Sequence, residues 1–122
     1  MAEPYVYVAS KSEWAWMWRG LRAAGMPIHS SWIDLPDGCD PQALWTACIE
    51  EASMCSALLA FYVEGEEWKG ALVEIGAALS SGSPVVVVGT PPGSWVNHPK
   101  VTLADSLDDG INQIGTLMGG WL

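Results

Sequence analysis

The run Val85-Val86-Val87-Val88 constrains this chain more than any other feature. Four consecutive β-branched residues suit a strand covered on both faces, as in a parallel sheet held between helical layers. Ala57 to Val63 is a second continuous apolar run, rich in Leu, Phe, Tyr and Val, and reads as a central strand. Tyr5–Ala9, Ile28–Trp32 and the weaker Val101–Leu103 complete five expected strands. Segments of helical period alternate with them. Ser10 with Glu13 three residues on predicts a capped first helix, its stripe Trp14, Trp18 and Leu21, closed by Gly25. Asp40 followed by Pro41 starts a second helix that runs to about Cys55. Lys69–Ser81 and Leu107–Met118 are the third and fourth. This alternation predicts an α/β fold: a flavodoxin-like, doubly wound, five-stranded parallel sheet with helices on both faces, forming a single domain over residues 1–122.

Composition narrows the function classes. The net charge is −9, from 14 acidic and 5 basic residues. Such a chain lacks the basic clusters that bind phosphate backbones, so a nucleic-acid partner is excluded, whereas a small nucleoside or nucleotide is compatible. No apolar stretch reaches the ~18 residues of a membrane span, and the N-terminus lacks the pattern of a signal peptide. Cys39, Cys48 and Cys55 form no CxxC pair, and with two histidines they make no convincing zinc site. Free thiols suit a reducing cytoplasm, and Cys48 and Cys55 read as small buried residues of the second helix. Neither metal nor cofactor is expected.

A doubly wound sheet binds ligands beyond the carboxyl ends of its strands, where the strand order reverses. That crevice is expected at Ala9–Ser12, Val63–Trp68 and the start of the third helix. There, Glu74 is the sole ionisable residue within an otherwise apolar helix. A buried carboxylate commonly marks a site with a tuned pKa. A helical wheel that buries Leu72, Ile75, Gly76 and Leu79 turns Glu74 almost directly away, toward solvent or toward a second subunit. Trp32 and Trp68 fall near the crevice, where aromatic faces suit base stacking. Asp34 can bind ribose hydroxyls or simply form a turn. Ser10, Lys11 and Ser12 precede a helix and hint at a phosphate. Tyr7 can orient Glu74 or pack in the core.

The segment from Lys69 through Glu74-Ile75-Gly76-Ala77 to Val88 resembles the signature of the nucleoside 2-deoxyribosyltransferase family, Gly-x-x-x-Glu-[Ile/Leu/Val]-Gly-x-Ala followed by a turn and an apolar strand. Tyr7-Val8-Ala9-Ser10 is similar to the family's opening strand, with small residues at the pocket floor. The resemblance implies an enzyme in which Glu74 attacks the anomeric carbon of a 2-deoxynucleoside, or its monophosphate, and forms a covalent deoxyribosyl ester that a second base or water resolves. It implies Glu74, Tyr7 and Ser56 as catalytic positions, Ser56 standing where the family carries an aspartate before the third strand. A second family acid aligns with Trp68, with Glu66 and Glu67 just before it. Ala9, Ser10, Trp32, Asp34, Glu67, Trp68 and Gly70 are the expected substrate contacts, and Asn97 in the loop 94–98 stands for the family's C-terminal contribution to a neighbouring site. A homo-oligomer of at least two chains follows. The alternative is a nucleotide-binding protein without catalysis on the same fold.

Overall fold

A computed structural model describes residues 3–35 and 38–120. Its sheet has four parallel strands in sequential order: β1 (Val6–Ala9), β2 (Ala57–Phe61), β3 (Val85–Val88) and β4 (Val101–Ala104). The register is regular, Val6 opposite Ala57, Leu58 opposite Val85 and Val85 opposite Val101. Side chains alternate between two cores, as the two-residue period of a strand requires. Tyr7, Ala9, Leu58, Ala60, Val85 and Val87 face helices α2 (Pro41–Met54) and α3 (Gly70–Ser80). Val6, Val8, Leu59, Val86 and Val88 face α1 (Ala15–Ala23) and α4 (Leu107–Leu117). The four-valine run is buried on both sides, as its composition requires. Among the described residues no helix is long and apolar enough to cross a membrane.

The expected strand Ile28–Trp32 is a correction. Only Ile28 bridges to Val6, and the chain turns into a 3₁₀ helix at Ser31–Ile33. Side chains take over the ladder's next rung. The Ser30 hydroxyl accepts from the Val8 amide at 2.8 Å, and Trp32 Nε1 donates to the Val8 carbonyl at 2.8 Å. With both main-chain groups of Val8 satisfied, nothing holds a further strand to this edge. The sheet is therefore four-stranded, and the reversal of order that a doubly wound sheet needs rests on one bridged residue. The first helix also differs. Ser12–Trp14 is a 3₁₀ turn ahead of α1, and Ser10 Oγ accepts from Trp18 Nε1 at 2.9 Å instead of capping. The Asp40 cap of α2 forms as expected, accepting from the Gln42 amide, with Pro41 in the first turn.

Candidate active site

α3 carries the decisive side chain, and it presents a face the apolar pattern does not suggest. Its buried positions are Ala71, Glu74, Ile75 and Ala78, spaced three, four and seven apart. Leu72, Val73 and Gly76 face outward. Ala71 and Ala78 let the helix lie close on the sheet and on α2, and this turns Glu74 inward. Glu74 is only 8 % exposed.

Glu74 lies on the wall of a cavity of about 310 Å³ at the carboxyl ends of β1 and β2. Ser10, Lys11 and Ser12 enter it from the end of β1, and Trp32 forms one side, held by its bond to Val8. Leu44, Trp45 and Cys48 descend from α2. Glu67, Trp68 and Lys69 come from the loop before α3, followed by Gly70 and Ala71 of the helix itself. Gly70 has a packing reason. A Cβ there would lie 3.2 Å from the Trp45 ring, which closes over the start of α3. Trp68 is set by Tyr62, edge-on at 5.3 Å, and by Trp95 at 6.4 Å. Its indole N–H is buried and has no partner.

Burial pushes the Glu74 carboxyl up to about 7; approach of the Tyr7 hydroxyl lowers it, and the charge of Glu51 raises it. Tyr7 is fully buried beneath the cavity. Its hydroxyl faces Glu74 and Cys48, yet no hydrogen bond to it is fully formed. Burial first, then the charge of Glu74, holds this phenol far above its ordinary range. At neutral pH the site thus holds a carboxyl divided between its two protonation states, backed by a phenol that keeps its proton.

Of the residues singled out in the sequence, the fold gathers Ser10, Trp32, Glu67, Trp68, Gly70 and Glu74 around the cavity, with Tyr7 behind Glu74. Ala9 ends β1 fully buried and does not line the cavity. Three others lie elsewhere. Ser56 precedes β2, at the far end of the strand, its amide bonded to the Tyr5 carbonyl at 2.9 Å. A five-residue strand separates it from the crevice by roughly 16 Å at ~3.3 Å per residue. It is not a partner of Glu74. Asp34 makes a two-pronged ion pair with Arg22, at 2.7 and 2.8 Å, away from the cavity. Asn97 is exposed in the 3₁₀ turn Ser94–Asn97, where Nδ2 donates to the Ser94 carbonyl. Between the two neighbouring acids the structure distinguishes clearly. Glu66 accepts from Trp14 Nε1 and the Val63 amide and holds the loop, whereas Glu67 lines the cavity. Trp45 and Cys48 are hard to single out from the sequence because both sit in a largely apolar helix where aromatics and cysteines usually serve packing. The cue they offer is their spacing of three residues.

Profiles of known protein families do not match this chain, and neither do curated protein sequences. Solved structures do. A Clostridium botulinum CMP N-glycosidase, BcmB, superposes with a TM-score of 0.59 over 90 % of this chain and 97 % of its own, at 13 % identity. The expected resemblance holds at the level of the fold. At that identity the likeness covers architecture, and the site must be argued from the side chains that line it.

Proposed function

We propose that the cavity binds a 2-deoxynucleoside or a nucleoside 5′-monophosphate and cleaves or transfers at its N-glycosidic bond, with Glu74 as nucleophile. The observation that carries this is Glu74 itself, buried at the cavity wall with a protonated phenol behind it. In the reaction, the ionised Glu74 oxygen bonds to the anomeric carbon as the bond to the base nitrogen breaks. The electron pair leaves with the base, which takes a proton from water. Water or a second base then displaces the carboxylate. An oxocarbenium-like transition state is stabilised by a carboxylate close to the anomeric carbon. The likeness to a protein named as a CMP N-glycosidase supports the reading, and so does the cavity's make-up. Trp32, Trp45 and Trp68 offer stacking faces. Lys11 and Lys69, two of only five basic residues, stand at the cavity. Lys69 is the N-cap of α3 and contributes no capping hydrogen bond, and Lys11 enters from the end of β1, an arrangement that suits a phosphate monoester. Three free cysteines accord with a cytoplasmic setting. Homo-oligomerisation through the outer face of α2 and α3 belongs to the same proposal.

The test is incubation with a panel of nucleosides and monophosphates, with and without an acceptor base, followed by mass spectrometry of the protein. A sugar adduct on Glu74 and loss of turnover in Glu74→Gln are expected. Base release that persists in Glu74→Gln would remove this residue from the mechanism. One observation favours a binding protein without catalysis. Besides Glu74, the one carboxylate lining the cavity among the described residues is Glu67, which is exposed and 4.0 Å from Lys69 instead of enclosed beside a leaving base. Calorimetric binding of a nucleotide with no base release from any substrate would establish that reading.

A further inference from the structure

Cys48 stands on α2 with 2 % of its surface exposed, on the wall of the same cavity as Glu74. The Tyr7 hydroxyl, fully buried and without a completed hydrogen bond, faces both side chains and packs in one core with Cys48. A buried donor left unpaired is costly, so this hydroxyl must complete its bonding with one or both neighbours. Cys48 and Tyr7 both hold their protons at working pH. Burial pushes the thiol up to about 11 and the phenol higher still. Each of the two groups therefore has a proton to donate. The arrangement that uses both is a chain, in which the S–H donates to the Tyr7 oxygen and the Tyr7 O–H donates to Glu74.

We propose that Cys48 is a positioning residue that aims the Tyr7 hydroxyl at the Glu74 carboxylate. A hydroxyl that accepts a hydrogen bond is a better donor, because the two bonds polarise each other. It also loses the freedom to rotate away. Cys48 thus strengthens the contact that favours ionised Glu74. Few other groups act on that carboxyl. Glu51 of α2 opposes ionisation through its charge, and Lys11, Glu67 and Lys69 stand around the cavity. Glu51 is itself held away, its carboxylate accepting from the Ser31 amide and hydroxyl. The thiol is then the one group from α2 placed to tune Tyr7.

This role rests on the proposed part of Glu74, but it can be tested without turnover. The carboxyl of Glu74 is followed by carbon-13 NMR across pH in the full chain, with its resonance assigned by its loss in Glu74→Gln. Cys48→Ala is expected to move the midpoint upward by about 0.5 unit, a threefold change in the ionisation constant. Cys48→Ser, which keeps a donor at that position, is expected to restore it. Where turnover is present, the acid limb of kcat should move in parallel with KM unchanged. A midpoint unmoved in Cys48→Ala, or moved equally in both variants, overturns the proposal. A shift as expected in a protein without turnover supports Cys48 and counts against the proposed reaction alone.

Discussion

At the scale of single residues, Glu74 gives a sign that stability measurements can check. Its carboxyl is raised from 4.5 to about 7 in the folded chain. The folded state therefore holds this proton more tightly than the unfolded state does. The stability it contributes is complete below pH ~4.5 and is lost as pH rises through about 7. A shift of that size corresponds to roughly 3 kcal/mol at ~1.4 kcal/mol per unit. Glu74→Gln should match the wild type in chemical denaturation near pH 4 and exceed it by about 2–3 kcal/mol at pH 8. Equal stabilities at pH 8 would show that the carboxyl is not desolvated. Such a cost is tolerated where ionisation serves a reaction, and activity should rise as pH passes through about 7. Trp68 supplies a second residue-scale outcome. Its indole N–H is buried without a partner beside the cavity, and on the proposed reading a bound ligand supplies the acceptor. Trp68→Phe keeps an aromatic ring but removes the donor. It should weaken nucleotide binding about tenfold by calorimetry, in line with ~1–1.5 kcal/mol for a hydrogen bond. Unchanged affinity would place the ligand away from Trp68.

Elements were legible in the sequence where local chemistry decides them. The strands at Val85–Val88 and Ala57–Phe61, the Asp40-Pro41 start of α2 and the extent of α3 follow from β-branching, capping and periodicity, and each lies within a residue or two of expectation. Where side chains compete with the backbone, the pattern misleads. Ser30 and Trp32 end the edge strand by taking the main-chain groups of Val8. The face of α3 was hidden for a related reason. A wheel weighted by hydrophobicity buries Leu72, whereas close packing favours Ala71 and Ala78 and carries Glu74 in with them. The crevice was foreseeable from the strand ends, and Ser56, read from the resemblance as preceding a strand, does so at the end of the sheet away from that crevice. α4 shows the same weight of small residues. A Cβ on Gly110 would lie 2.6 Å from Val88 Cγ2 and 3.2 Å from Leu59 Cδ1. Gly110→Ala should therefore destabilise the fold by about 1–3 kcal/mol, although alanine is the better helix former. A variant as stable as the wild type would mean that α4 shifts freely on the sheet.

Over the whole molecule, the inward turn of α3 changes where a partner can bind. The small residues Ala71 and Ala78 pack inside the chain and cannot receive another backbone. The outward face is apolar instead. Leu72 and Val73 of α3 are 42 % and 48 % exposed, and Trp45 and Ile49 of the neighbouring α2 are each 41 % exposed. Clustered exposed apolar side chains usually mark an interaction site. This face also adjoins the cavity, since Trp45 both lines it and packs over Gly70. A second copy of the chain meeting it about a two-fold axis would bury the same residues on both sides. It would also exclude water from the cavity mouth, further desolvating Glu74. Light scattering at micromolar concentration should then give twice the 13.1 kDa of one chain. Val73→Glu places a charge on that face, outside the monomer's core. It should halve the measured mass without lowering the helical signal in circular dichroism. A wild-type chain that scatters as a monomer would overturn the contact. So would a dimer indifferent to Val73→Glu, because its interface would have to lie on another face.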